Sequence, residues 1–501
     1  MSAGLAGPAT LCGGFMCGTD GETDVIEFSD VSVNYDISGT DVSSAQGGSQ
    51  LKNISFRAEQ GDVLLLAGPS GSGKTSVMRL ITGLIPDFYE ASVTGKVSVP
   101  GRVNGLVRPD SVGIVMQNPR SQFFMNDVAG ELVFTVSGLG LPKEQIMKRL
   151  AATVKVMQLE SIIDRENIQK LSGGEKQKIA AAEVIIADPR IILLDEPSSS
   201  LDYSFIESLR GQIRLWKSMG KTVIVSEHRL WFLWDLADRM LLFRDGRLEK
   251  EYSRDQMNRL CDRDLEKLGL RSISTVRNDL SKVIYPQQME SDELYELSDF
   301  CFKRKDRQYR IRRIAFAKGA VTAVTAPNGT GKSTLLHCLS GILKFSAVIR
   351  DGAQIIDRKE FCRKWFMVFQ DPNYQLCRET VEEELSCSFP ADTPPEQISC
   401  GIRNILKELD LDGTQQRHPL SLSGGQKQRL AIGCAFASGK NMLLDEPTSG
   451  LDYANMTAMA EFLKRLSRDR GITVVVVTHD PEFIRSCCNR QIMLEYERNQ
   501  L

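Results

Sequence analysis

The stretch Gly68-Pro69-Ser70-Gly71-Ser72-Gly73-Lys74-Thr75 is the feature that most constrains what this chain can fold into. It fits the pattern G-x-x-x-x-G-K-[ST], in which glycines let backbone N–H groups turn toward phosphate oxygens. Lys74 can reach the β- and γ-phosphates of a nucleotide, and Thr75 offers a hydroxyl to Mg²⁺. The apolar run 63–66 predicts a buried strand before the loop, and residues 76–81 predict a helix after it. This context favours a phosphate loop over a glycine-rich surface turn.

Composition limits the classes of protein that this chain can be. Its 501 residues, 42% hydrophobic and 25% charged, are typical of a soluble globular protein with several domains. The formal net charge of −2 argues against bulk electrostatic binding to nucleic acid, so no nucleic-acid partner is expected. No run approaches the ~18 apolar residues of a membrane span. Work at a membrane would therefore require separate spanning subunits.

The twelve cysteines contain no C-x-x-C pair, and residues 1–24 lack the apolar core of a signal peptide. We therefore expect a disordered leader and reduced thiols in a cytosol.

The phosphate-loop pattern occurs a second time, and other features repeat with it. The second loop is Ala326-Pro327-Asn328-Gly329-Thr330-Gly331-Lys332-Ser333-Thr334. Four further features recur in the same order: Gln117 with Gln370, Leu171–Glu175 with Leu422–Gln426, Asp195-Glu196 with Asp445-Glu446, and His228 with His479. The offsets lie between 250 and 258 residues. The chain is therefore a tandem duplication, and each half predicts an α/β fold with phosphate loops at strand ends.

The duplication sets the predicted domains. The halves span 25–251 and 293–501, with a partly helical connector of mixed charge over 252–292. An aromatic segment, Leu230–Ala237, predicts a helix that either packs in the core or faces a partner.

The acidic pairs and the histidines predict hydrolytic chemistry. Asp195 and Glu196 end an apolar run, so a buried strand delivers two carboxylates to the edge of the site. The first suits Mg²⁺, and the second can polarise an attacking water. His228 would contact the γ-phosphate or that water, although a lone histidine is more often a core residue. Gln117, an uncharged amide after a strand, suits a sensor of nucleotide state.

The two L-S-G-G stretches predict a second anion site in each half. A serine and glycines ahead of a helix place backbone N–H groups at its positive end. The simplest use of two phosphate-binding surfaces in each half is head-to-tail pairing of the halves. Each half would then complete the nucleotide site of the other.

Together these motifs resemble the ATP-binding cassette family over almost the whole chain. The resemblance implies an α/β fold: tandem P-loop NTPase (RecA-like) cassettes, each with a helical subdomain (about 119–175 and 372–426) and an N-terminal antiparallel β patch. It implies ATP and Mg²⁺ as cofactors and places Asp202 and Asp452 at the D-loop positions. Lys74 and Glu196 would act with Ser423, Gly424 and Gly425, and Lys332 and Glu446 with Ser172, Gly173 and Gly174.

The candidate site residues fall into three roles. The catalytic set is Glu196, His228, Glu446, His479, Gln117 and Gln370. The nucleotide-binding set is Tyr35, Gly68, Ser70, Gly71, Gly73, Lys74, Thr75, Asn328, Gly329, Gly331, Lys332, Ser333, Thr334, Ser172, Gly173, Gly174, Ser423, Gly424 and Gly425. The Mg²⁺ set is Thr75, Gln117, Asp195, Ser333, Gln370 and Asp445.

The second half departs from the family pattern at two positions. Tyr35 is the expected adenine-stacking residue of the first half, and alignment of residues 28–30 with 297–299 puts Arg304 at its place. An arginine plane can still stack on a base. Ala326 replaces the first glycine of the loop and fits only with a negative φ. We expect both sites to hydrolyse ATP, with the second tuned differently.

Within the family, the segments 117–124, 370–376 and 226–230 resemble the ATPases of energy-coupling factor importers, which take up vitamins or metal ions. The expected role is an ATPase subunit at the cytoplasmic face of the cell membrane, bound peripherally to transmembrane coupling and substrate-binding subunits. The alternative is a soluble two-cassette ATPase acting on ribosomes or nucleic acid. The short connector of mixed charge disfavours it. DNA-repair cassettes would carry coiled-coil or zinc insertions, which the sequence lacks.

Overall fold

The computed structural model describes residues 25–35, 50–103, 106–107, 110–116, 122–171, 173–199, 201, 203–274, 294–304 and 307–496. The predicted leader, residues 275–292 of the connector, and three predicted site residues, Gln117, Ser172 and Asp202, lie outside the described residues.

The first half contains eleven strands and the helices between them, counted over the described residues. Its strands are β1 (Ile26–Tyr35), β2 (Leu51–Ala58), β3 (Val63–Ala67), β4 (Ala91–Ser98), β5 (Arg102–Val103), β6 (Leu106–Val107), β7 (Val112–Val115), β8 (Ile191–Asp195), β9 (Thr222–Ser226), β10 (Arg239–Arg244) and β11 (Arg247–Ser253). Its helices are α1 (Lys74–Thr82), α2 (Leu84–Asp87), α3 (Val128–Ser137), α4 (Lys143–Met157), α5 (Gly173–Ala187), α6 (Tyr203–Ser218), α7 (Arg254–Met257) and α8 (Asp262–Lys267).

The second half repeats the main elements of this order. Its strands are β12 (Leu294–Arg304), β13 (Arg307–Ala317), β14 (Val321–Thr325), β15 (Ser346–Asp351), β16 (Gln354–Ile356), β17 (Trp365–Val368), β18 (Asn441–Asp445), β19 (Val474–Val477) and β20 (Arg490–Met493). Its helices are α9 (Lys332–Leu339), α10 (Arg358–Arg363), α11 (Val381–Ser386), α12 (Pro395–Glu408), α13 (Gly424–Ala437), α14 (Tyr453–Arg470) and α15 (Pro481–Cys487).

Each half is built on a parallel core sheet, as predicted. The order is β11-β10-β3-β9-β8-β7 in the first half and β17-β18-β19-β14-β20 in the second, with only β11 antiparallel. Both faces of the first sheet are buried. Leu65 of β3 packs into one core, on the face that α5 and α6 cover, and Leu64 and Leu66 pack into another, on the face that α1 covers. The two phosphate loops follow β3 and β14, the carboxyl ends that a doubly wound fold uses for ligands.

The antiparallel patches and helical subdomains are present in both halves. The patches have the orders β2-β1-β4 and β13-β12-β15-β16. Helices α3 and α4 pack on α5, and α11 and α12 pack on α13. The α/β cassette prediction is therefore confirmed in both halves.

The connector begins as part of the first half. Strand β11 runs to Ser253, two residues past the predicted boundary, and α7 and α8 follow it directly. Met257, Leu265 and Leu270 are buried in the same core as Leu65. The first half therefore carries a C-terminal extension through at least this segment.

The aromatic segment 230–237 packs in the core, but the predicted helix is wrong. Only a short 3₁₀ turn, Leu230–Phe232, forms there. Arg254 donates from its guanidinium to the carbonyls of Trp234, Asp235 and Ala237 at 2.6–2.8 Å. Those carbonyls point at a side chain from the extension instead of along a helix axis. Across the described ranges, none of the helices combines the length and apolar character needed to span a bilayer.

Candidate functional site

The first phosphate loop holds Lys74 in a buried position above its backbone. The Lys74 ammonium donates to the carbonyls of Gly68 and Pro69 at 2.9 and 2.8 Å. Burial lowers the pKa of Lys74, and the carboxylates of Glu196 and Asp195 oppose that shift. Gly68 has φ 143°, and a Cβ there would lie 2.2 Å from the carbonyl oxygen of Phe243. The loop therefore needs glycine at this position and aims one cation at its centre.

The second loop has the same arrangement in spite of Ala326. Lys332 donates to the carbonyls of Ala326 and Pro327 at 2.8 and 3.1 Å, and to the side-chain oxygen of Asn328 at 3.3 Å. Ala326 does not have a positive φ, so its backbone differs from that of Gly68. The substitution is thus accommodated by a local change of backbone, with the lysine in the same place.

The acidic strand ends meet the loop hydroxyls, as the Mg²⁺ prediction requires. Thr75 donates from Oγ1 to Oδ2 of Asp195 at 3.0 Å. The Oδ1 atoms of Asp195 and Asp445 are buried without a hydrogen-bond partner among the described residues. Burial, followed by the charge of Glu196, raises the pKa of Asp195 to about 6. A buried carboxylate oxygen without a donor beside a threonine hydroxyl is the donor set that suits Mg²⁺, so these residues fit the ion.

The glutamates after these aspartates have an uncommon backbone conformation. Glu196 has φ 46° and Glu446 has φ 47°. Non-glycine residues rarely adopt this region, and those that do are concentrated at functional sites. His228 Nε2 lies 3.3 Å from a carboxylate oxygen of Glu196, and His479 Nε2 lies 3.6 Å from one of Glu446. Each predicted catalytic glutamate therefore lies beside the predicted histidine of its own half, while the contact of these histidines with a γ-phosphate stays a prediction.

Tyr35 and Arg304 occupy equivalent places, which supports their alignment. The Tyr35 hydroxyl is 2.9 Å from the Ser76 hydroxyl, two residues after Lys74. The Arg304 guanidinium donates to the Thr334 hydroxyl at 2.6 Å, two residues after Lys332. Each side chain is thus fixed beside the first turn of the helix that follows its loop. The two halves therefore differ at the position that the sequence predicts to contact the base, with an aromatic ring in the first and a cation in the second.

The two cassettes contact each other at the segments that follow the acidic pairs. The backbone N–H of Ser70, in the first phosphate loop, donates to Oδ2 of Asp452 at 2.8 Å. The Ser449 hydroxyl donates to the carbonyl of Ser199 at 2.5 Å. A D-loop residue of the second half therefore reaches the nucleotide loop of the first.

The second L-S-G-G segment begins helix α13. Ser423 is exposed, and its side chain accepts from the backbone N–H of Gln426 at 3.3 Å in a capping box. Gly424 and Gly425 form the first turn of α13, as Gly173 and Gly174 do in α5. None of the described hydrogen bonds joins Ser423 to residues 68–75. The predicted pairing of Ser423 with Lys74 stays a prediction.

The predicted residue Gln370 is exposed, two residues after the end of β17. The structure also shows a partly buried polar pair that the sequence reasoning missed, Gln122 with Glu183. Gln122 donates from Nε2 to Glu183 of α5 at 2.6 Å, and Glu183 is 5% exposed. The second half has Cys434 at the place of Glu183. An acidic residue within the apolar face of a predicted helix was the signal that could have identified Glu183.

Both halves combine a phosphate loop, an acidic strand end whose oxygens suit Mg²⁺, and a histidine beside the following glutamate, which together define a P-loop ATPase with two nucleotide cassettes. The sequence profile of the ABC transporter domain matches residues 51–199 and 312–449. A Treponema denticola protein, provisionally named an ABC transporter ATP-binding protein, is 38% identical over 89% of this chain and 91% of its own length. The chain belongs to the ABC transporter ATPase family.

Other similar proteins have more specific names. A Bacillus subtilis protein, provisionally named an HMP/thiamine import ATP-binding protein, is 29% identical over 88% of this chain and 86% of its own length. Among solved structures, a ribosome-bound complex of archaeal Pelota and ABCE1 contains a chain with TM-score 0.64 and 23% identity, covering 93% of this chain and 76% of that one. At this identity the second likeness shows the shared fold alone.

Proposed function

We propose that this ABC ATPase powers an importer of the energy-coupling factor type from the cytoplasmic face of the cell membrane, through separate transmembrane subunits. The observation that carries the proposal is an exposed apolar surface that follows the first glutamine loop in the sequence. Phe124, Met125 and Phe134 are 77%, 38% and 42% exposed, and the rings of Phe124 and Phe134 lie 5.5 Å apart. We name these three residues the apolar patch.

The apolar patch combines exposed side chains with a fixed backbone, which suits it to bind a partner element. It joins the loop after Gln122 to helix α3 of the helical subdomain, so its position depends on both. Glu131 accepts the backbone N–H groups of Phe124 and Met125 at 2.9 and 2.6 Å, which fixes the segment that carries two of the three side chains. Contiguous exposed aromatic surface on a fixed backbone is typical of a protein-interaction site. Its occupant would be the apolar face of a helix from a transmembrane subunit.

The geometry of the two sites supports the following proposal for the ATP cycle. Thr75 and Asp195, and Ser333 and Asp445, would hold Mg²⁺, which neutralises charge on the β- and γ-phosphates. Lys74 and Lys332 would bind the γ-phosphate, Glu196 and Glu446 would accept a proton from the attacking water, and the histidines would orient those carboxylates. ATP would draw Ser423 and Ser172 onto the opposite loops, and hydrolysis would release them. The resulting motion would pass to the partner through the apolar patch.

Two experiments test this proposal. Glu196→Gln combined with Glu446→Gln should bind ATP and hold the cassettes closed, because each site loses its proton acceptor while keeping its phosphate ligands. Undiminished turnover in that double variant would reject the mechanism.

The second experiment recovers partners from detergent-solubilised membranes of the source cells. Wild-type protein should retain integral membrane subunits, and Phe124→Ser with Phe134→Ser should lose them. The matched control is Phe88→Ser, a ring that is 74% exposed outside the apolar patch. Recovery of ribosomes or nucleic acid without membrane subunits would instead favour the soluble two-cassette function.

A further inference from the structure

A basic cleft opens on the second half, at the edge of the core sheet opposite the nucleotide loop. It has a volume of about 380 Å³ and is lined by Ala317, Lys318, Gly319, Ala320, Lys464, Ser467, Arg468, Asn489 and Arg490. Four of these residues are cationic and none is acidic. We propose that this cleft, here named the basic cleft, binds a phosphate-bearing anion. This inference is independent of the proposed import function.

The equivalent surface of the first half has balanced charges. There Arg239 pairs with Asp62 at 2.6 Å and with Glu251 at 2.6 Å. Lys217 pairs with Asp238 at 2.5 Å. Both cations are therefore neutralised by carboxylates from neighbouring strand ends.

The second half also has cations at the positions of Arg239 and Lys217, but it lacks the acids that correspond to Asp62 and Asp238. Ala320 stands in the place of Asp62, because Val474 donates to its carbonyl at 2.9 Å as Val223 does to that of Asp62 at 2.8 Å. Asn489 stands in the place of Asp238, since its side-chain oxygen accepts from the N–H of Val321 at 3.0 Å. Arg490 and Arg468 take the positions of Arg239 and Lys217.

The exchange of Asp238 for Asn489 changes the hydrogen-bonding character of the cleft. In the first half, one oxygen of Asp238 accepts from the N–H of Val63 at 2.9 Å, and the other accepts from Lys217. In Asn489 the single oxygen is used by Val321, so the remaining atom is an amide nitrogen, which can only donate. Donors thus replace an acceptor at the centre of the cleft.

Three of the four cations of the basic cleft have no ion-pair partner among the described residues. Within the described ranges, Arg468, Arg490 and Lys464 make no ion pair, and Nε of Arg490 is buried without a hydrogen-bond partner. Lys318 differs, because it pairs with Asp351 at 2.6 Å. Two guanidinium groups with an amide donor and a lysine match the several acceptor oxygens of a phosphate group. That phosphate can be free in solution or carried by a lipid headgroup.

The test measures pyrophosphate binding to the full chain by calorimetry, with both nucleotide sites saturated with ADP. Ala320→Asp combined with Asn489→Asp restores the acids of the first half and should weaken pyrophosphate binding at least about tenfold. The new carboxylates can pair with Arg490 and Arg468, so this variant should keep its thermal stability. The control, Ser399→Asp with Asn404→Asp, adds the same charge at exposed positions of α12 and should bind as wild type does.

A second arm distinguishes the source of the phosphate. Sedimentation with phosphatidic acid vesicles, compared with phosphatidylcholine vesicles, reports binding to a headgroup. Binding of either ligand that is lost in the acid-restoring variant and in Arg468→Gln with Arg490→Gln supports the site and names its ligand. Absence of binding in both arms, or binding that both variants retain, overturns the proposal.

Discussion

Arg271 of the first cassette's extension lies 2.5 Å from Asp480 of the second cassette, guanidinium Nη2 to carboxylate Oδ2, with both side chains almost fully buried. Glu482 lies 3.3 Å from Nε of the same arginine. Burial alone would raise the pKa of Asp480, but Arg271 and Arg229 hold it below its ordinary value. Asp480 directly follows His479, and Arg229 directly follows His228. A buried ion cluster therefore joins the two cassettes next to the residues that follow His228 and His479 in the chain.

Arg271→Met should destabilise the protein by about 3–5 kcal/mol, because it leaves Asp480 buried without its main cationic partner. Urea unfolding measures the loss. Arg310→Met is the matched control, since Arg310 pairs with Asp299 at 3.2 Å while 50% exposed, and an exposed pair contributes ~1 kcal/mol or less. Addition of Asp480→Asn to Arg271→Met should recover part of the loss. Equal losses in the test and control variants would show that the cluster does not hold the cassettes together.

The second site should bind adenine nucleotides more weakly than the first, because Arg304 replaces an aromatic ring. Arg304→Tyr should strengthen ATP binding there by about tenfold, the contribution of one stacked base. The measurement is ATP titration in a Lys74→Ala background, in which the first site is disabled. The reciprocal change, Tyr35→Arg in a Lys332→Ala background, should weaken the first site. No change in either variant would place the adenine contact elsewhere.

Glu183 predicts a pH dependence of stability. Burial raises its pKa to about 8 from an ordinary value near 4.5. A carboxyl with a raised folded-state pKa stabilises the fold fully only below its unfolded pKa, so the free energy of unfolding should fall as pH rises from about 4.5 to 8. The linked change is roughly 5 kcal/mol at most.

Glu183→Gln should remove this slope and raise the melting temperature at pH 8, because the amide keeps an acceptor for Gln122 without a buried charge. Thermal melts from pH 5 to pH 8 measure it, with Glu144→Gln at an 81% exposed side chain as control. A slope that persists in Glu183→Gln would assign the dependence to another group.

The sequence was sufficient to predict the loops, the acidic strand ends and the sheet class, because each rests on local pattern and on order along the chain. It also paired Tyr35 with Arg304, which the matching contacts to Ser76 and Thr334 support. It could not predict the Arg271–Asp480 pair, because those residues are 209 positions apart and meet only through packing of whole cassettes. The helix expected over 230–237 is absent for a more local reason, because Arg254, the first residue of α7 and 17–20 positions further along the chain, donates to the carbonyls of this segment.

Ser423→Arg should reduce ATP turnover at the first site at least about tenfold, if Ser423 completes that site when the cassettes close. The bulky cation would prevent close approach of α13 to Gly71 while leaving the second loop's own ligands intact.

Turnover is measured in a Lys332→Ala background, which silences the second site and isolates the first. Ser399→Arg, at an exposed position of α12, is the matched control and should leave turnover unchanged. Asp452 of the second cassette already reaches Ser70 of the first loop at 2.8 Å, and closure would add the approach of α13 to that loop. Full turnover in the Ser423→Arg variant would mean that the two cassettes work as independent sites.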